Sequence, residues 1–129
     1  MKIKQVSVFA ENKQGRLLAI LKALENTNIN LRAISVSENA DFGIVRMIMD
    51  DPEKGSVALK QSGFTERTDT LLTAEIPDVP NGLLKSVVKP LSDSGINVDY
   101  FYAFLEQKTG TARIVLKTSD DEKAEKLLP

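Results

Sequence analysis

Gly15-Arg16-Leu17-Leu18-Ala19-Ile20-Leu21-Lys22-Ala23-Leu24-Glu25-Asn26-Thr27-Asn28-Ile29-Asn30 decides the fold, because the chain repeats it. At an offset of 67 residues it recurs without a gap as Gly82-Leu83-Leu84-Lys85-Ser86-Val87-Val88-Lys89-Pro90-Leu91-Ser92-Asp93-Ser94-Gly95-Ile96-Asn97. Gly15 meets Gly82, Leu17 meets Leu84, Leu24 meets Leu91 and Ile29-Asn30 meets Ile96-Asn97; further on, Gly43 meets Gly110 and Arg46 meets Arg113. Two long copies in a short chain indicate a duplicated domain, since a solenoid needs three or more shorter units. Positions shared by the copies serve either a common site or a common folding requirement.

Working outward, the apolar residues Leu17, Ile20, Leu21 and Leu24 fall at helical spacing and predict a helix from Gly15 to Asn26 with one apolar stripe. Before it, Ile3 to Glu11 alternates around Val6 and Val8 as a half-buried strand. After it, Leu31 to Ser37 and Phe42 to Met49 are strands. Asp50-Asp51-Pro52-Glu53 starts a second helix with an acidic cap and proline in its first turn. Phe64 to Leu71 is a fourth strand, giving the order β-α-β-β-α-β of ferredoxin-like folds. The second copy restarts without a linker at Leu71 to Ile76. It repeats the helical stripe at Leu84, Val87, Val88 and Leu91 and adds strands over Asn97 to Leu105 and Thr111 to Lys117. Ser119-Asp120-Asp121-Glu122 opens its last helix. Pro90 inside the helix predicts a kink or a late restart, because proline lacks the N–H that the ladder needs. The chain stops at Leu127-Leu128-Pro129 where the first copy has a strand to come, so the second domain is expected to lack or truncate its last strand. An open sheet edge needs cover, and a homodimer is the expected solution. The reading is α+β: two ferredoxin-like domains in tandem, 1–70 and 71–129, packed as a pseudo-dimer.

Composition narrows the chemistry. Charge is nearly balanced, 17 Lys+Arg against 18 Asp+Glu, without the basic footprint of a nucleic-acid binder. Cysteine and histidine are absent, which removes disulfides, thiolates and imidazole catalysis. The N-terminus lacks the apolar run of a signal peptide, and no stretch approaches the ~20 apolar residues that span a bilayer. A cytoplasmic protein with no cofactor, no metal and no membrane or nucleic-acid partner is expected.

Each repeated position carries two readings. Gly15 and Gly82, between first strand and first helix, suit a tight turn and close packing; equally, backbone N–H groups at a helix start receive an anion. Asn28 and Gly95 are expected as left-handed C-terminal caps. Asn30 and Asn97 then enter a strand, where asparagine is depleted, beside the mouth of the helix-one loop; there an amide suits a small zwitterion. Arg46 and Arg113 are expected as cross-strand or solvated cations. Asp50-Asp51 and Asp120-Asp121 precede helices and read as N-caps rather than as metal or acid–base pairs. Tyr100, Phe101, Tyr102 and Phe104 put aromatics on both faces of one strand, one face core and the other an interface.

The order Glu11-Asn12-Lys13-Gln14-Gly15-Arg16-Leu17 with Asn28-Ile29-Asn30, and again Pro77-Asp78-Val79-Pro80-Asn81-Gly82 with Gly95-Ile96-Asn97, resembles the ACT domain, a small regulatory module that binds amino acids. The whole chain, Ser37 to Asp51 included, is similar to stand-alone tandem-ACT proteins. The resemblance implies a ligand held between paired ACT domains, with the loop of one facing the strand-two asparagine of its neighbour. Carried over, Asn12 and Gly15 pair with Asn97, while Asp78 and Gly82 pair with Asn30. Gln14 replaces the usual proline, and Asp78 stands where asparagine is common, so the half-sites are unequal. The implied function is an amino-acid-binding regulatory protein, not an enzyme, with a small amino acid or related metabolite and a metabolic enzyme as partners. The alternative is a ligand-free interaction module docking a partner enzyme. An acylphosphatase-like reading of Lys13-Gln14-Gly15-Arg16 fails because the second copy has Leu83 in place of the arginine. An RRM reading of Phe42 to Val45 fails because Arg46 and Ile48 stand where stacking aromatics belong.

Overall fold

The computed structural model describes residues 1–11, 13–38 and 42–129. Along the chain come β1 (Lys2–Glu11), α1 (Arg16–Leu24), β2 (Leu31–Glu38), β3 (Phe42–Met49), α2 (Pro52–Gln61) and β4 (Thr65–Pro77). Then follow α3 (Pro80–Leu83), a π-helical stretch (Leu84–Val88), α4 (Lys89–Asp93), β5 (Val98–Ala103), β6 (Thr111–Thr118) and α5 (Asp121–Glu125). The class is α+β and the element order is that of two consecutive ferredoxin-like repeats. The chain divides into two compact units, Lys4–Asp69 and Met1–Ile3 with Thr70–Pro129. β4 runs unbroken through the boundary, where the sequence suggests two successive strands.

In the unit Lys4–Asp69 the strands lie in the order β2-β3-β1-β4, with β3 antiparallel to both β1 and β2. Period-two alternation puts Val6, Val8, Val45, Met47 and Met49 on one face, against Ile20 and Leu24 of α1 and Leu59 of α2. Each such side chain contributes about 1.5–3 kcal/mol by leaving water. The expected α1 stripe is only half used, since Leu17 (41% exposed) and Leu21 (39%) remain outside while Ile20 and Leu24 are buried. α2 begins as the sequence predicts: the Asp51 carboxylate accepts from the Lys54 N–H at 3.1 Å, with Pro52 in the first turn. Asn28, at φ 58°, adopts the expected left-handed turn after α1.

The second unit orders residues 70–77 of β4 beside β6, and β6 beside β5, all antiparallel. Leu72, Ala74, Ile76, Ile114 and Leu116 meet Val87, Leu91, Ile96 and Ala124 in its core. Again Leu84 and Val88 of the sequence stripe stay exposed while Val87 and Leu91 are buried. At Pro90 the helical run continues, with the proline in the first turn of α4. It passes through the π-helical Leu84–Val88, a wider turn that rearranges the carbonyl acceptors ahead of a residue with no N–H to offer.

No strand follows α5 among the described residues, yet the β4 edge of this unit is not left open. Met1–Ile3 clusters with this unit, and the Thr73 N–H donates to the Met1 carbonyl at 2.9 Å. The Met1 amine and the Lys2 ammonium both lie near Glu125 of α5, at 3.6 and 3.9 Å. The start of β1 thus covers the β4 edge of this unit in cis, which weakens an open edge as a reason for dimerisation.

Candidate functional site

Asn30 and Asn97 do the same backbone work in both units. The Asn30 N–H donates to Asp50 Oδ1 at 2.9 Å, and the Asp50 N–H returns a bond to the Asn30 carbonyl at 3.2 Å. In the second unit the Asn97 N–H donates to Ser119 Oγ at 2.9 Å, and the Ser119 N–H donates to the Asn97 carbonyl at 2.9 Å. This bracket ties the entry of the second strand to the turn between third strand and second helix. The side-chain amides are engaged as well: Asn30 Nδ2 donates to Asp50 Oδ2 at 3.1 Å and Asn97 Nδ2 to Asp99 Oδ1 at 2.9 Å. Each carboxamide oxygen remains as an exposed acceptor side. The Asp50 carboxyl is held below its usual range, chiefly by the Asn30 backbone N–H, against a smaller opposing effect of burial, with the Asn30 amide adding to the depression.

The asparagines do not border the helix-one loop of their own unit. Glu11 pairs with Phe42 while Leu31 pairs with Met49, so the loop after β1 and Asn30 lie at opposite ends of β3. Pro77 pairs with Thr111 and Val98 with Thr118, which separates Asp78 from Asn97 in the same way.

The two glycines diverge. Gly15 has φ 88° and is the N-cap of α1, with no side chain capping the helix. Gly82 lies inside α3 and is buried; its N–H donates to the Val79 carbonyl at 2.9 Å, and Pro80, at the first helical position, has no N–H. A Cβ on Gly82 would fall on the Pro77 carbonyl and 2.8 Å from Pro77 Cβ. Gly82 therefore serves packing, and its N–H cannot receive an anion. Asp78 is exposed, with its N–H donating to the Gly110 carbonyl at 3.2 Å. Asn12 lies outside the described residues.

The other repeated residues are structural. Arg46 Nη1 donates to Ser37 Oγ at 3.3 Å. The Arg113 guanidinium sits 5.0 Å from the Phe104 ring centroid and 3.8 Å from Glu106. Asp120 caps α5 by accepting from the Lys123 N–H at 3.0 Å. Of the β5 aromatics, Phe101 is opposite Leu116 and 45% exposed, while Phe104, just past the strand, is buried. Among the described residues no cluster of His, Cys, Asp or Glu suits a metal, and no helix is long and apolar enough to cross a membrane.

One feature escapes the repeat altogether: an open groove of about 900 Å³ in the unit Lys4–Asp69. One wall is α1, through Arg16, Ala19 and Ala23 at i, i+3 and i+7; the others are Ala10, Phe42 and Phe64. The signal in the sequence was two alanines following an arginine along one helix face, in a copy whose counterparts are Ser86 and Pro90.

Over residues 1–128 the chain matches the ACT domain pair family, and it belongs to that family. A solved protein of Bacteroides thetaiotaomicron is 37% identical with a TM-score of 0.88, the match covering 98% of this chain and 86% of that one. The regulatory subunit of aspartate kinase from Thermus thermophilus, in ligand-free form, is 12% identical with a TM-score of 0.62, over 97% of this chain and 87% of that one. Aspartokinase III of E. coli, solved in complex with lysine and aspartate, is 16% identical with a TM-score of 0.51, over 98% of this chain and 29% of that one. The last two are likenesses of fold. No match to a curated protein was found.

Proposed function

We propose that this ACT domain pair is a cytoplasmic regulatory protein that binds a small amino acid or related metabolite where ACT domains pair, and that it catalyses no reaction. The observation that carries the reading is the start of α1. Gly15 turns the chain in the left-handed region and leaves the helix without a side-chain cap; the Arg16 N–H donates to the Lys13 carbonyl at 3.3 Å, and the remaining first-turn N–H groups, with the helix dipole behind them, suit a ligand carboxylate. Asn12 and Gly15 form this half of the site, and the strand-entry asparagine of the domain paired with it reads the ammonium or another polar group. Asp78 and Gly82 form the weaker counterpart, since Gly82 has no free N–H and Pro80 has none at all. One ligand per chain is the expected stoichiometry. The likeness to aspartokinase folds, one of them solved with lysine and aspartate, supports an amino acid as ligand.

Binding would tighten the domain pairing and pass to a metabolic enzyme as a coupling of ~1–3 kcal/mol. A homodimer belongs to the proposal, supported by the exposed Leu17, Leu18 and Leu21 of α1. Calorimetry with the common amino acids on wild type, Asn30→Ala and Asn97→Ala is the test. Weakened binding in at least one variant is expected; unaltered binding in both removes these asparagines from the site. If no amino acid binds the wild type, the second reading stands: a ligand-free module docking its enzyme, favoured by the exposed Phe101 and Leu105 (60%).

A further inference from the structure

The groove beside α1 has a built-in charge demand that the repeat does not explain. Arg16, Ala19 and Ala23 present one helix face to it, and the two alanines leave the space that larger side chains would fill. Ala10, Phe42 and Phe64 give it apolar walls. Arg16 Nε is buried and has no hydrogen-bond partner, although the guanidinium tip reaches solvent. A buried N–H of that kind is expensive to leave unmade. The carboxylate nearest to it, Glu11, lies 3.9 Å from Arg16 Nη2 and is held more closely by Lys13 at 3.2 Å. Lys22, also lining the groove, has no ion pair among the described residues. The lining is thus apolar in its body, and its rim carries the two cations Arg16 and Lys22 against the single carboxylate Glu11.

We propose that this groove is a binding site for a small amphipathic carboxylate, with an aromatic or bulky aliphatic body between Ala19/Ala23 and Phe64 and its carboxylate on Arg16. A volume of about 900 Å³ accommodates such a molecule, within the ~300–1,000 Å³ of small-ligand sites. The site lies wholly within the unit Lys4–Asp69; it adjoins the α1 start invoked above but uses neither Asn30 nor Asn97. Lys22 adds long-range attraction, so affinity falls with salt.

Three probes share one body: 3-phenylpropanoate, 3-phenylpropanol and 2-phenylethylamine. Titrated by NMR into the full chain, 3-phenylpropanoate is expected to shift the amide signals of Ala19, Ala23 and Phe64. The alcohol and the amine should bind at least roughly tenfold more weakly. Arg16→Gln, which removes the charge and shortens the side chain but can still hydrogen-bond, should lose roughly tenfold for the acid and nothing for the alcohol. Ala23→Leu, filling the groove with a good helix former, should abolish all three. Asn30→Ala and Asn97→Ala should leave the titration unchanged, which separates this site from the one proposed above. Equal affinity for acid and amine, shifts confined to other residues, or undiminished binding to Arg16→Gln would each overturn the proposal. So would groove amides already shielded by a second copy of the chain, with no probe bound.

Discussion

The two aligned glycines should respond oppositely to the same substitutions. At Gly82 the obstacle is steric. A Cβ would meet the Pro77 carbonyl and lie 2.8 Å from Pro77 Cβ, and overpacking a close contact costs roughly 1–3 kcal/mol. Alanine recovers ~0.5–1 kcal/mol over glycine in a helix, so Gly82→Ala should destabilise by about 1–2 kcal/mol. The larger Gly82→Asn should destabilise further. At Gly15 a Cβ finds nothing within 4 Å, but φ is 88°. The penalty there is the left-handed backbone, ~1–2 kcal/mol for alanine and less for asparagine, which enters that region routinely. Gly15→Asn should therefore be more stable than Gly15→Ala, and Gly82→Asn less stable than Gly82→Ala. Urea unfolding followed by far-ultraviolet circular dichroism measures all four, with the wild type as reference. If asparagine rescues both positions, Gly82 is a turn glycine like Gly15 and the packing argument is wrong.

Three further outcomes follow from the same contacts. Deleting residues 1–3 removes the Met1 carbonyl bonded to Thr73 and both cations near Glu125; thermal unfolding should fall by several degrees, and hydrogen exchange should accelerate at Thr73 more than at Val8. Asp51→Ala and Asp120→Ala each remove a helix cap and should each cost about 0.5–2 kcal/mol in chemical unfolding. Asp50 has a depressed carboxyl pKa in the folded state, so its contribution is complete above the unfolded carboxylate value and is lost as pH falls through the folded one. Asp50→Asn should thus be less stable than wild type at neutral pH, with the gap narrowing below about pH 4; a gap that is constant through acid would contradict the assignment.

Much of this was legible in the residues. The period of Val6-Val8 placed the buried face of the first strand, and Asp51-Pro52 placed a helix start, because these signals are local. Asn28 and Gly95 were readable as left-handed turns for the same reason, and both have positive φ. The α1 stripe was readable as a direction only, since helical spacing does not give the width of the surface packed against it. Leu17 and Leu21 fall just outside that width. The groove at Arg16 was legible only afterwards, because its walls come from three strands and a helix.

By itself the sequence determined the duplication, which shows as a direct match at one offset, and the α+β element order and the caps, which depend on residues within a few positions of one another. Tertiary structure decided what the repeated residues do. Gly15 and Gly82 align perfectly, yet one turns the chain and the other admits Pro77, because only packing reveals what stands beside a missing Cβ. Asn30 and Asn97 align too, and each finds its partner across about 20 residues of chain, Asp50 in one case and Ser119 in the other. The β4 edge of the second unit is the clearest instance. Nothing near Pro129 hints that Met1–Ile3 covers it, since hydrogen bonds between strands depend on spatial adjacency and carry no local mark in the sequence.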